Sequence, residues 1–531
     1  MALASSVFET LGTKLGYVAS SALFLLFAAG LWSTKQAWHL ASRYPLLGGE
    51  YGGAGKRGKA YLSHAAALFD QGYRQFKTAT YRLTTPDGDH LIVPNCYLDE
   101  LRRRPDNELD VLKAFEKTFE NNHVRLFPSK EKTIIINNVV KVDLTRNLGR
   151  INPRLSDEVA RTVASELAGC DGAEWTPVVL SGVLLRIVAV VSGNIFLGPE
   201  LCREAEYMHC AVQFTVDLVA ASAALKRWPA WLRSVAAATP LVPQVARVHE
   251  HRRRMKAFLR PVIEQRRMDM ERRRKADDAD AVPPPADDLF QWLMEKSAAS
   301  GVTDAGDLTD MLLLVLLAAI HTTSLAVTNL FYDLAIRPEV VEELRGEIKS
   351  VLADSGGVMT TQALYDMKLV DSVMRESQRL TPPFIDAFRR YAMQPITLQN
   401  GDRIPKGTYI ETANTAVLRD PSLYPSPDVF NPRRFSALRE PDVPDPLGYK
   451  NREQYQYISV TKENMSFGFG RHACPGRYFA ANEIKMILAQ LLLQYDIRMP
   501  DGESERYQSI WSGVVIAPDP TKALLFRRVA A

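Results

Sequence analysis

Two long apolar stretches dominate the hydrophobic pattern of the chain. Residues 15–32 (LGYVASSALFLLFAAGLW) form an uncharged and mostly apolar run. As a helix this run spans roughly 27 Å, which is enough to cross the hydrocarbon core of a bilayer. The second run, Met311–Ile320, lies at the centre of a helix that the pattern predicts from Asp307 to Ile336. An apolar run this short cannot span a membrane, so it predicts a helix in the protein core.

The residues around the first run predict a membrane anchor. A cleaved signal peptide with a small-residue site at 28–30 would need a shorter apolar core and a more basic start. By the positive-inside rule, the bulk of the chain stays in the cytosol. We predict a lumenal segment at 1–14, a transmembrane helix at 15–32, a linker at 33–50 and the main domain at 51–531. The cations that support this orientation follow the run at Lys35, Arg43, Lys56, Arg57 and Lys59.

The later pattern predicts a mainly α fold with a smaller β component. Pro338 suits the first turn of a helix, and Gly356-Gly357 suits its end. Ile396–Ile404 predicts a β-hairpin, because the Asn400-Gly401 pair between its short apolar stretches is typical of a tight turn. Neither an internal repeat nor a long low-complexity segment interrupts this pattern.

Composition then excludes several classes. The chain has 531 residues, a formal net charge of +4 and 46% hydrophobic residues. These values exclude wholesale disorder, collagen and coiled coils, and the small charge gives no reason to expect nucleic acid. The basic helical face at 252–288, which runs into an acidic, proline-rich loop, is more typical of a solvated helix than of a nucleic-acid or lipid patch. The tryptophans at 225–233 leave two interpretations open, contact with a membrane interface or core packing.

One of the five cysteines, Cys474, lies in a segment with a distinctive sequence. Five scattered cysteines do not form a disulfide framework and suit a reducing compartment. Cys474 follows a glycine-rich turn in FGFGRHACPGR (467–477), and Pro475 suits the first position of the helix predicted after it. A helix N-terminus favours the thiolate form. The residues alone leave a metal ligand, a nucleophile, a redox thiol and an inert buried cysteine open.

The segment resembles the haem-binding loop of cytochrome P450 enzymes, F-x-x-G-x-[R/H]-x-C-x-G. The matching residues are Phe467, Gly470, His472, Cys474 and Gly476. The resemblance implies haem b as cofactor, with Cys474 as the axial thiolate ligand of the iron. It also implies that Phe467 packs near the sulfur and that His472 takes the place of the usual arginine at a haem propionate. For the other propionate contacts, Arg389 and Arg390 remain alternatives.

Two further segments resemble the same family in the family's order. Glu376 and Arg379 match its E-x-x-R helix, and Arg434 lies in a proline-containing segment that would complete a charged cluster. A buried carboxylate shared by two guanidiniums is costly to break, so we assign this cluster a structural role and no catalytic one.

The predicted core helix carries the third resemblance, in AAIHTT (318–323), which is similar to the family's oxygen-activation motif. The resemblance implies that Thr322 holds oxygen-bound water. His321 stands where the family usually has an acid. Since imidazole can accept and donate a proton near neutral pH, our hypothesis is that His321 supports proton delivery. A histidine that only packs or positions the helix remains an equal alternative.

Taken over residues 45–531, the resemblance implies a haem-thiolate monooxygenase on a cytochrome P450-like fold. It would insert one oxygen atom from O₂ into a lipophilic small molecule, such as the terpenoid precursor of a fungal secondary metabolite. Electrons would come from NADPH through cytochrome P450 reductase, with cytochrome b5 as an optional second donor. The predicted location is the endoplasmic reticulum membrane, single-pass, with the catalytic body in the cytosol and without a nucleic-acid partner. The alternatives are a haem-thiolate isomerase or dehydratase that needs neither O₂ nor a reductase, and a non-enzymatic haem protein.

The same resemblance gives expectations for partner and substrate contacts. The reductase would dock on the face near Cys474, where Arg471 and Arg477 supply positive charge. Substrate would meet the 100–135 loop, the helix around Ala318, Pro382–Phe388 and the turn at 512–514.

Overall fold

A computed structural model describes residues 43–275 and 284–529 of the chain. The predicted anchor at 15–32, most of the linker and the acidic part of the 252–288 segment lie outside the described residues. The described part is mainly helical with smaller sheets, as the hydrophobic pattern predicts.

Eighteen α-helices are present in the described ranges. They are α1 (Ala54–Gln75), α2 (Leu98–Leu101), α3 (Val111–Thr118), α4 (Asn121–Val124), α5 (Lys130–Asn138), α6 (Leu148–Glu166), α7 (Leu180–Phe196), α8 (Ala205–Lys226), α9 (Arg233–Ala237), α10 (Pro243–Lys275), α11 (Leu289–Ala299), α12 (Ala305–Leu334), α13 (Pro338–Asp354), α14 (Thr361–Asp366), α15 (Lys368–Leu380), α16 (Asn414–Leu418), α17 (Arg434–Leu438) and α18 (Arg477–Gln494).

The strands form one large sheet and three small ones. They are β1 (Leu46–Leu47), β2 (Tyr81–Thr85), β3 (Gly88–Ile92), β4 (Leu109–Asp110), β5 (Thr176–Val179), β6 (Asp386–Ala392), β7 (Ile396–Thr397), β8 (Arg403–Ile404), β9 (Tyr409–Ala413), β10 (Tyr495–Arg498), β11 (Ser509–Ser512), β12 (Val515–Pro518) and β13 (Ala523–Arg528). The large sheet has the order β1-β2-β3-β9-β6-β4. β10-β13-β5, β11-β12 and β7-β8 make the others.

The predicted core helix is α12. It begins two residues earlier than predicted because the Asp304 carboxylate accepts a hydrogen bond from the Asp307 N–H and caps its first turn. It ends at Leu334, before Arg337-Pro338. By length and composition α8 and α12 are each apolar enough to cross a membrane. In α12, however, most of the apolar run packs in the protein's core, so the core-helix prediction is confirmed.

The other local predictions are confirmed as well. α13 begins at Pro338 and ends before Gly356 and Gly357, both of which have positive φ. β7 and β8 form the predicted hairpin, closed by the Leu398 N–H, which donates to the Asp402 carbonyl.

The basic segment is a helix, and some of its arginines pair with carboxylates of neighbouring elements. In α10, Arg252 makes two hydrogen bonds to Asp310 of α12, and Arg254 makes two to Glu206 of α8. These pairs bind α10 to its neighbours and favour the structural interpretation of the segment over a nucleic-acid patch. Of the two tryptophans before it, Trp228 packs against the core, whereas Trp231 is 76% exposed.

The charged cluster that the sequence places around Glu376 is fully formed and buried. Arg379 lies 2.8 and 2.9 Å from the two carboxylate oxygens of Glu376. The Nε of Arg434 lies 3.1 and 3.0 Å from the same two oxygens. The remaining guanidinium N–H groups donate to carbonyls of the 418–429 segment, for example from Arg434 to Pro425. The cluster therefore joins α15 to the chain that leads toward Cys474.

We predict that Arg434→Ala lowers the free energy of unfolding by about 3–5 kcal/mol, because it leaves a buried carboxylate short of a partner. Urea unfolding of the full chain measures the change. The matched control is Arg433→Ala: its side chain is 62% exposed and pairs with Glu343 at the surface. That control should cost no more than about 1 kcal/mol. Equal effects of the two substitutions would contradict the structural role of the cluster.

Candidate active site

The loop at 467–476 folds back on itself through two glycines. Gly468 and Gly470 have φ values of +78° and +74°. A Cβ at Gly470 would also lie 3.0 Å from the Cβ of Arg102. The Cys474 N–H donates to the Phe467 carbonyl at 2.7 Å and closes the loop. Both the left-handed backbone and the close approach therefore require glycine at 470.

Cys474 lies immediately before α18. The helix begins at Arg477 with Gly476 as its N-cap, so Pro475 stands in the preceding turn. The prediction of Pro475 as the first helical residue was wrong, because the chain makes a turn before the helix begins. The pKa of the Cys474 thiol is raised overall. Burial raises the pKa of the Cys474 thiol, and hydrogen bonds from the N–H groups of Gly476 and Arg477 act in the opposite direction.

The middle of α12 borders an open space inside the chain. Ala318 and Thr322, one turn apart, are solvent-accessible although Leu316, Ile320 and Thr323 beside them are buried. The Thr322 hydroxyl donates to the Ala318 carbonyl at 2.7 Å. This back-bond orients the hydroxyl and leaves its oxygen free to accept a hydrogen bond from the space.

His321 is directed toward a different neighbour. Its Nε2 lies 3.1 Å from the Val212 carbonyl of α8. Burial lowers the pKa of His321, and the carbonyls of Val212 and Ala211 offset part of that effect. The ring is therefore neutral near pH 7, with one nitrogen committed to α8.

His472 belongs to a charged group at the edge of the loop. Its Nε2 lies 2.9 Å from an Asp106 oxygen, and Arg471 lies 3.0 Å from the same oxygen. Burial lowers the pKa of His472, as does the charge of Arg390, while Asp106 raises it. Burial would raise the pKa of Asp106, but the hydrogen bond from His472 and the neighbouring charges outweigh it and lower that pKa.

The structure distinguishes Arg389 from Arg390. Arg389 makes two 2.6 Å hydrogen bonds to Asp386. Arg390 is buried and lies over the ring of Phe388, 4.2 Å from its centre, and it donates a hydrogen bond to the Arg389 carbonyl. No carboxylate within the described ranges lies at ion-pair distance from Arg390. Burial and then the charge of Arg471 lower the pKa of Arg390 to about 10.

A β-bulge separates the two arginines. The register of β6 against β9 shifts between Ala387 and Arg390, so that two residues oppose Glu411. Phe388, one of the two, has a φ of +53°. Because of the extra residue, the side chain of Arg389 lies on the same face of the sheet as Asp386. The side chain of Arg390 lies on the opposite face.

Two of the predicted substrate segments come together. The Ile385 N–H donates to the Val514 carbonyl at 2.9 Å, and Phe384 pairs with Val515 in a β-bridge. In the 100–135 segment, the rings of Phe115 and Phe119 pack on Phe127 with centroid distances of 6.2 and 5.6 Å. These contacts place apolar and aromatic side chains in the segments where substrate contacts are expected.

The family model for cytochrome P450 matches residues 111–525. Cytochrome P450 monooxygenase braC of Annulohypoxylon truncatum is 36% identical over 91% of this chain and 92% of its own length. Cytochrome P450 monooxygenase adrA of Penicillium rubens is 33% identical over 97% of this chain and 95% of its own length. The retinoic acid-bound cyanobacterial CYP120A1 superposes with a TM-score of 0.67 at 17% identity, covering 92% of this chain and 99% of that one.

The fold and the site thus define a haem-thiolate enzyme. The chain belongs to the cytochrome P450 family and is a monooxygenase whose cofactor is haem.

The residues present fit that cofactor. A soft sulfur donor with two N–H groups facing it suits iron. A buried arginine without a carboxylate suits the acidic edge of a ligand, since an unpaired buried charge is costly. The exposed positions Ala318 and Thr322 on α12 are open to contact with a ligand.

Sequence reasoning missed two groups. Asp106 holds His472 and Arg471 from 366 and 365 positions away, and the Val212 carbonyl accepts from His321 across 109 positions. A main-chain carbonyl leaves no mark in a sequence. A lone acid in 103–106 (RRPD) has no spacing that singles it out either.

Proposed function

We propose that Cys474 would supply the thiolate ligand of the haem iron and that Arg390 and His472 would hold the haem propionates. Two observations carry this proposal. One is an enclosed thiol that two N–H donors face. The other is a buried arginine that has no acidic partner among the described residues. The Nε2 of His472 already bonds Asp106, so Nδ1 is the ring nitrogen left to face a propionate. Phe467, whose ring meets Tyr457 edge-on at 5.2 Å, closes the side of the loop.

Haem with a thiolate ligand supplies activation of O₂ and transfer of one oxygen atom. The chain's own residues then orient the substrate, exclude water and hold protons. The Thr322 hydroxyl, fixed by its bond to the Ala318 carbonyl, holds a water molecule in the open space. The apolar surfaces at Phe127 and Phe384 exclude bulk water and bind a lipophilic molecule.

The proposed substrate is a lipophilic precursor of a fungal secondary metabolite, such as a terpenoid. The curated relatives named above come from fungi and carry the name monooxygenase. Electrons come from NADPH through cytochrome P450 reductase, which docks at Arg471 and Arg477; cytochrome b5 is an optional second donor. If His321 delivers protons, its ring must contact water in the open space beside Thr322. Its Nε2, however, is bonded to the Val212 carbonyl of α8.

We predict that Cys474→Ala abolishes the red-shifted Soret band of the reduced CO complex and all product formation. The wild-type enzyme, reconstituted with reductase and NADPH, should incorporate one atom of ¹⁸O₂ into one member of a terpenoid, polyketide and alkaloid panel. Cys96→Ala, which alters an exposed thiol, is the matched control and should keep both signals.

A thiolate-type CO spectrum in Cys474→Ala would overturn the ligand assignment. Product that forms without O₂ and without reductase would instead identify an isomerase or dehydratase. Haem binding with no turnover of any kind would favour a non-enzymatic haem protein.

We predict that Arg390→Leu accelerates haem loss to apomyoglobin by roughly tenfold, because an interaction worth about 1.4 kcal/mol or more is lost. Arg390→Lys keeps the charge and should lose haem at an intermediate rate. Arg403→Ala, an exposed position on β8, controls for general effects of removing an arginine. Haem loss from Arg390→Leu at the wild-type rate would rule out a propionate contact.

The proposed location is the endoplasmic reticulum membrane, with an anchor at 15–32. Exposed apolar side chains around α8 and α9 supply a second contact with the membrane surface, among them Trp231 and Val235, which is 55% exposed. Asn464-Met465-Ser466 has the sequence of an N-glycosylation site. It does not report topology, since Asn464 is only 4% exposed and its amide donates to the Ser459 carbonyl.

We predict that protease added to sealed microsomes digests the body and spares a tag fused to residue 1. A chain without residues 1–32 should pellet with membranes less completely, and Trp231→Ala should release it further. Protection of the body from protease would reverse the proposed orientation.

A further inference from the structure

His321 makes a bond that neither proton delivery nor simple packing accounts for. Its Nε2 lies 3.1 Å from the carbonyl of Val212, in the first half of α8. Within the described residues this is the one side-chain hydrogen bond that joins α8 to α12. The next residue of α12, Thr322, faces the open space. The bond therefore lies at the level of the proposed reaction site.

The acceptor fixes the chemistry of the ring. A carbonyl only accepts, so the proton of the neutral imidazole must sit on Nε2 and Nδ1 carries none. To pass on that proton, the ring would have to give up its contact with α8. Holding α8 and relaying a proton through Nε2 are therefore competing tasks.

The other polar contacts of α8 do not replace this bond. Glu206 pairs with Arg254, and Asp217 bonds His251 at 2.9 Å, so both tie α8 to α10. Tyr207 ties α8 to the Ala189 carbonyl of α7, and Ser222 ties it to the Phe119 carbonyl, so neither contact reaches α12. α10 is in turn bound to α12 at Asp310, near the start of α12 and about three turns from His321. The α8–α10 pair is thus fixed at one end of α12, and His321 supplies the second point of attachment.

Near Val212, the outer face of α8 carries exposed apolar side chains. Val216 and Val219, one and two turns after Val212, are 50% and 48% exposed. The inner residues Phe214 and Leu218 hold α8 by apolar contact, which is non-directional and tolerates sliding. A directional hydrogen bond to one carbonyl specifies the position of α8 along α12.

We propose that His321 is a positioning residue that fixes α8 beside the reaction cavity and thereby limits the size of the ligand that the cavity admits. The proposal rests on the proposed haem-thiolate function. It assigns to His321 control over substrate fit and leaves proton delivery to Thr322 and water.

Two substitutions separate positioning from proton transfer. His321→Gln keeps an N–H that reaches a carbonyl, but an amide does not relay protons near neutral pH. His321→Leu keeps a similar volume and has no donor. The probes are two imidazoles that bind haem iron, 4-phenylimidazole as the small ligand and clotrimazole as the bulky one, each followed by its spectral shift.

In His321→Leu we expect the dissociation constant of clotrimazole to change by about fivefold, which corresponds to one ordinary hydrogen bond. The value for 4-phenylimidazole should stay within about twofold, the size expected for a ligand that does not reach α8. His321→Gln should resemble the wild type with both probes. Hydrogen–deuterium exchange, which needs no bound ligand, should be faster in the 205–226 peptides of His321→Leu only.

Two results would overturn the proposal. One is that both variants divert NADPH to peroxide in the reconstituted enzyme while azole binding and exchange stay unchanged, which is the signature of a proton relay. The other is that His321→Leu leaves azole binding, exchange and coupling all at wild-type values. Failure of the proposed function would be seen separately, since the wild type would then give no azole shift at all.

Discussion

The buried carboxylate of Glu376 is the interaction on which the site depends. Two guanidiniums satisfy it, so α15 and the 425–434 segment must lie together wherever the chain is folded. The residue directly before Glu376 on α15, Arg375, donates to the carbonyls of Gln454 and Gln456. That contact fixes the segment before the cysteine loop. Separating a buried charge from its partners is costly, so α15 is held in a fixed position. The residues that contact it are positioned relative to it.

The path from α15 to the sulfur is short and continuous. Tyr457, next to the carbonyls that Arg375 holds, meets Phe467 edge-on. The Phe467 carbonyl accepts from the Cys474 N–H. A charge cluster without any chemistry of its own thus determines where the thiol lies.

The elements predicted correctly from the sequence are those with local causes. The uninterrupted apolar run gives α12, Pro338 and Gly356 bound α13, and Asn400-Gly401 closes the hairpin. Position in the chain selects Glu376 from several Glu–Arg pairs of equal spacing. The first turn of α18 was misplaced, because proline suits a tight turn as well as a helix start.

Contacts across the fold could not be predicted in this way. The hydrogen bond between His321 and Val212 depends on how two helices pack, and its acceptor is common to every residue type. The distinction between Arg389 and Arg390 depends on the register of β6 against β9. Neither packing nor register is encoded by the spacing of neighbouring side chains.

The bulge in β6 has a consequence for tracing descent among related chains. In a regular strand, residues two apart share a face, so Asp386 and Arg390 would lie on the same side. The bulge at the left-handed Phe388 adds one residue to β6 that has no partner of its own on β9. The arginine without an acidic partner among the described residues is therefore shifted by one position along the chain. A relative that lacks the extra residue would keep an arginine at the same place in the fold, but at a different position in its sequence. Arginines with the same role are therefore those on the same face of the sheet. An alignment made by counting residues from Glu376 would pair arginines that lie on different faces.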